Sequence, residues 1–235
     1  LPIFFGAILM AMSSFGQTYF ISLYGQEFRQ TFGLSDGGLG GLYAIGTVMS
    51  AVTLTWAGRL IDYTTTRRFT LAVTLLLTIA CLLISGAQAA WMLGIGFYFL
   101  RFGGQGLMVH TALTATARQF PLDAGKALGA IALGLSLAQA VFPVVAVQIS
   151  NLTGWRLAWS LNAAILIAGI AIALMFLPRG REAPLRNFRN RGEAVIKEAS
   201  IWKNRNLLLA LPVVLASPFI TTGFFFHQIG RASCR

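Results

Sequence analysis

The chain has 235 residues, of which 56% are hydrophobic and 11% charged, and its mean hydropathy is +0.72. Soluble domains carry about 25% charged residues, so the composition excludes an ordinary soluble domain and points to the bilayer. The formal net charge of +11 does not indicate nucleic acid, because the Lys and Arg residues collect in short stretches between apolar runs. The two cysteines, Cys81 and Cys234, are far apart and imply no disulfide framework.

A crossing helix needs roughly 20 apolar residues. Runs of that kind predict spans at residues 2–24, 37–60, 69–89, 91–117, 127–149 and 157–177, with a seventh at 207–228 that contains Pro212 and Pro218. The expected fold is all-α and polytopic, with a six-span bundle over 1–177. Basic residues set the orientation. Arg59, Arg67, Arg68, Arg118, Lys126 and the basic stretch 178–206 fall on one side, with only Arg29 and Arg156 on the other. The first side, and Leu1 with it, is expected to face the cytoplasm.

The linker 178–206 places Val195, Ile196, Ala199 and Trp202 at helical spacing, which suits either a short amphipathic helix on the membrane face or a solvated tether. The tail 229–235, IGRASCR, breaks the apolar pattern abruptly and is expected to be non-native. GLYAIG (41–46) and GAIALG (129–134) share glycine spacing near the starts of the second and fifth spans. Two three-helix units of opposite direction would place them equivalently.

Arg101 stands ten residues into the fourth span. At about 1.5 Å per residue this is roughly 15 Å deep, near the middle of a hydrocarbon core about 30 Å thick. A charge there faces a bundle interior or a watery cavity and marks a functional site by default. The bland alternative is a side chain that hydrogen-bonds carbonyls of a neighbouring helix. On an α-helix, Gln105 and Met108 share the Arg101 face, and His110 points elsewhere, as a packing or hydrogen-bonding residue. Gly103, Gly104 and Gly106 clear space for a helix or a ligand. No acid lies in the core of spans one to six, so Arg101 lacks a charged partner in this half and should attract an anion, either a carboxylate of the missing half or the substrate. Gln17, Thr18, Tyr19 and Gln139 are further candidates for lining a solute cavity.

At the end of the second span the chain reads GRLIDYTTTRR (58–68), which resembles the loop signature of the major facilitator superfamily, G-x-L-x-D-[RK]-x-G-[RK]-[RK]. Gly58, Leu60, Asp62, Arg67 and Arg68 match in type; Tyr63 and the threonine run depart from it, and the basic pair comes one residue late. RFGGQG (101–106) is similar to that family's R-x-x-Q-G element with one residue more. FPVV (142–145) and GWR (154–156) are weaker echoes. The resemblance covers residues 1–228. It implies a twelve-helix secondary transporter whose two halves rock about a central site, with spans one and four lining the cavity. This chain would be the first half, 3+3 inverted repeats, plus the start of the second.

The resemblance also makes Asp62 part of a gate, with Gly58 at its base and Arg67, Arg68 or Arg118 as the partner cation. The implied cargo is a small organic solute, an anion or carboxylate by the charge at Arg101. The implied setting is a bacterial inner membrane, with the missing C-terminal half as partner. An efflux carrier of the same fold, a non-transporting membrane sensor, or a fragment inactive by itself are the alternatives. No zinc spacing, nucleophile elbow, phosphate loop or paired carboxylates appear, so neither enzyme chemistry nor a metal or cofactor is expected.

Overall fold

The computed structural model describes residues 2–177 and, beyond them, only Pro212, Ala216 and Ile220. The expected linker at 178–206, its amphipathic helix, the tail at 229–235 and the rest of the seventh span lie outside the described residues. Within those residues the chain is helical and contains no strand.

The first span is broken, where the hydropathy pattern predicts one continuous helix. Helix α1 (Pro2–Met12) tightens into a 3₁₀ turn at Ser13–Gly16, Gln17 is extended, and α2 (Thr18–Ser22) resumes. Ser13, Ser14 and Gly16 are poorer helix formers than the residues before them. The Ser13 hydroxyl also donates to the Met10 carbonyl at 2.7 Å, competing with the helical ladder. Helix α3 (Gly25–Phe32) then ends at Gly33, whose φ of 62° is the left-handed cap that glycine tolerates.

Helix α4 (Asp36–Ala57) is opened by Ser35, whose Oγ accepts from the Gly38 N–H at 3.0 Å. It runs into a 3₁₀ turn at Gly58–Asp62. Helix α5 (Thr66–Ser85) starts at a Thr65 cap. The fourth span joins α6 (Ala90–Leu100), a π-helical segment Arg101–Met108, and α7 (Val109–Gln119). Helix α8 (Ala124–Thr153) carries Pro143 inside it and turns at Gly154 into α9 (Trp155–Met175). Five of these spans, with the broken first one taken as a single stretch, are long and apolar enough to cross a membrane; the fourth is divided by its π segment.

The two halves repeat. Pro2 and Ala90, which open spans one and four, are 88 residues apart, as are Asp36 and Ala124, which open spans two and five. The glycine pairs named above obey the same offset. A methyl on Gly46 would meet the backbone of span four at Tyr98 and Gly94, and a methyl on Gly134 would meet the backbone of span one at Ala7. Gly41 and Gly129 both face open space. Equivalent glycines therefore seat equivalent crossings: span two on four, and span five on one. Gly16 and Gly104 share the offset too, and there the pair meets itself, backbone against backbone.

An aromatic ladder fills the interior: Phe15, Phe20, Tyr24, Phe28 and Trp159 are all buried. Phe20 lies edge-on to both Phe15 and Trp159, with ring centroids 5.1 and 5.8 Å away. Asn162 donates to the Tyr24 hydroxyl at 3.2 Å. At the end bearing residues 86–89, Arg156 donates to the Ser85 and Ala87 carbonyls and caps α5.

Candidate functional site

The unwound joint of span one and the π segment of span four lie against each other at Gly16 and Gly104. Any side chain on either glycine would overlap the other's backbone. Breaking a helix frees carbonyls, which lipid cannot satisfy and protein must. Arg101 supplies the donor. Its Nη1 donates to the Gly16 carbonyl at 3.3 Å and to Thr18 Oγ1 at 3.1 Å. The guanidinium stands 5.4 Å from the centre of the Tyr43 ring, within cation–π range. Thr18 Oγ1 and the Tyr43 hydroxyl are 2.7 Å apart and complete the ring of contacts.

Arg101 is 7% exposed. Among the described residues the ion pairs are Arg29–Asp36, Arg118–Asp62 and Lys126–Asp123, so no carboxylate there answers Arg101. Its Nε and the Gln105 Oε1 are buried without a hydrogen-bond partner. The cluster thus holds a cation among neutral dipoles with donor capacity to spare.

The α-helical spacing that puts Met108 on the Arg101 face is corrected here, because this stretch is π-helical; Gln105, four residues on, stays near that face in either helix. A π turn closes i to i+5 rather than i to i+4. That wider turn has room for one more residue, which is the excess that RFGGQG carries over R-x-x-Q-G. Met108 is buried and Gln105 half-buried. Gln17 is half-buried at the break and donates to Ser13 Oγ at 3.4 Å. Tyr19 is buried beside it. Gln139 is exposed on α8 and is outside the hydrogen-bonded group. Tyr43 and Gly16 were not legible as partners. Tyr43 is an uncharged aromatic in another span, and the Gly16 carbonyl becomes available only because the helix breaks there.

A second cluster sits at the far end of span four. Arg118 Nη2 meets Asp62 Oδ1 at 2.8 Å. Of the three cations expected to pair with Asp62, the structure selects Arg118, while Arg67 and Arg68 are exposed and make no ion pair among the described residues. His110 Nε2 lies 3.0 Å from the Gly58 carbonyl. A cavity of about 250 Å³ opens between them, its lining including Thr55, Gly58, Asp62, His110 and Thr114.

A broken first span clasped by a buried arginine of the fourth, and an Asp–Arg pair closing one end, sit in a chain whose residues 3–229 match the family model of the Major Facilitator Superfamily. The chain belongs to the major facilitator superfamily. Members of this family are membrane transporters, which makes the chain an integral membrane protein with a transporter's fold. Among curated proteins none matches it. In this major facilitator bundle the Arg101 cluster and the Asp62–Arg118 pair are joined by one span, the fourth, through its π segment and α7.

Proposed function

We propose that the chain belongs to a secondary active transporter that moves a small organic solute by alternating access, and that Arg101 binds the solute's negative group, a carboxylate by preference. One observation carries this reading: a buried guanidinium with neutral partners and a donor left over. A buried cation without a counter-ion is costly and is stabilised by any anion that reaches it. Gln105 and Gln17, both half-buried beside it, offer amides to the rest of the solute, with Tyr19 behind them; Gln139 stands further out on α8. Asp62, Gly58 and Arg118 form the gate, with Arg67 and Arg68 contributing to its positive field. The Asp62 end faces the cytoplasm of a bacterial cell, as does the N-terminus. The described bundle is one half of the carrier, residues 178–206 link it onward, 207–228 begin the second half, and the remaining helices complete the cavity.

The test is counterflow. Protein in liposomes is offered radiolabelled mono- and dicarboxylates, with amines and neutral sugars as controls. Wild type exchanges at least one carboxylate. Arg101→Ala inserts normally and loses exchange by roughly 30-fold or more, the effect of removing one partner of a buried charge pair; Arg101→Lys keeps part of it. The Gly16 contact favours a second reading, in which Arg101 is a strut for the broken helix. Equal exchange by wild type and Arg101→Ala, with a lowered melting temperature, would establish the strut and reject the binding role.

A further inference from the structure

The 3₁₀ turn Gly58–Asp62 is gripped at both ends by one helix. At its last residue, the Asp62 carboxylate takes Arg118 of α7. At its first, the Gly58 carbonyl faces His110 Nε2 of the same helix at 3.0 Å. His110 and Arg118 are eight residues apart, a little over two turns, so they lie along one side of α7. The turn between them is short and ends in the half-exposed Asp62, whose side chain is 47% accessible. An ion pair that open to water contributes only about 0–1 kcal/mol and does not by itself fix where the turn sits. The histidine bond is a second, independent hold on the turn, in the wall of the 250 Å³ cavity. A carbonyl can only accept, so this contact requires a proton on Nε2. Gly58 is not glycine for want of room: a methyl there would find the imidazole at 3.6 Å, an ordinary contact, and its φ is −57°.

We propose that His110 is a positioning residue of the gate. Its Nε2–H clamps the Gly58 carbonyl, which sets the turn against α7 so that Asp62 reaches Arg118. The purpose of the clamp rests on the transporter reading above; its geometry does not. Losing it frees the turn and widens the cavity mouth, and a side chain that donates to the same carbonyl restores it.

The test uses a reporter cysteine at Thr114, in the cavity wall, with Cys234 changed to Ser and the buried Cys81 retained. The protein sits in liposomes and the probe is a membrane-impermeant maleimide. His110→Leu is expected to raise the labelling rate about fivefold, the worth of one net hydrogen bond. His110→Gln, whose amide N–H reaches the same carbonyl, stays within about twofold of wild type, and Gly58→Ala does the same. Labelling of His110→Leu at the wild-type rate, or equal labelling of the Leu and Gln variants, overturns the clamp. Should His110→Leu fail to insert, ¹⁵N spectra of histidine-labelled protein decide. With His227→Gln removing the other histidine, an Nε2-protonated neutral ring supports the proposal and an Nδ1-protonated ring refutes it. Carboxylate counterflow is run on the same liposomes. Its failure alongside the expected labelling removes the transport reading and leaves the clamp standing.

Discussion

Arg101 is held by weak partners for a permanently charged group. A carbonyl, a hydroxyl and an aromatic face replace water, and no carboxylate joins them among the described residues. The contact that makes this arrangement possible is Gly16 on Gly104, where two backbones touch. We expect Gly104→Ala to cost about 1–3 kcal/mol, the usual penalty of overpacking, while Gly41→Ala, which faces open space, leaves stability unchanged. Thermal melts in detergent read both; equal melts would mean the crossing yields easily. Arg101 itself was legible in the sequence, because a charge in an apolar run has few innocent explanations. Its partners were not. A backbone carbonyl carries no signature in the sequence, and Tyr43 lies 58 positions away in another span, joined to Arg101 only by the tertiary fold.

The π segment Arg101–Met108 is the least regular stretch of span four, and the motif it carries, RFGGQG, is one residue longer than the family's R-x-x-Q-G. The two facts are one: the wider turn stores the additional residue, so α6 and α7 keep their faces toward the bundle. Removing one glycine there should let the segment relax to α-helix without turning α7. We therefore expect deletion of Gly103 to leave folding and the Asp62–Arg118 closure intact, since Gly104 remains to meet Gly16. Deletion of Ala112 within α7 rotates everything beyond it by about 100°, carries Arg118 away from Asp62, and should prevent folding. Insertion yield and thermal melting of the two variants distinguish these outcomes, and matched losses would refute the role given to the π turn. Among the described residues, the first six spans were readable from hydropathy to within a few residues. The break in span one was not, because Ser and Gly within an apolar run lower helix preference without fixing where a helix fails.

The whole bundle is built on an 88-residue offset that seats span two on four as it seats five on one. That offset was faintly visible in two glycine-bearing hexapeptides and became decisive only when both were found to press on backbone at matching crossings. Spans two and five are also the most outward of spans one, two, three, five and six, 22% buried against 67% for span one. Exposed Ile45, Met49 and Val52 on α4, and Leu133, Leu137 and Val141 on α8, are apolar surface that suits lipid or further helices of a carrier. Polar groups gather instead where spans one and four cross, the place where a solute would be held. The proposed transport cycle requires water and solute to reach that crossing. The direct measurement replaces Gln105 with cysteine, keeps Arg101, changes Cys234 to Ser, and follows labelling by an impermeant thiol reagent in liposomes. Labelling that proceeds from one face, is slowed by carboxylates, and loses that protection in Arg101→Ala is the predicted result. A cysteine at 105 that stays unlabelled from both faces, or one that carboxylates protect equally without Arg101, would contradict it.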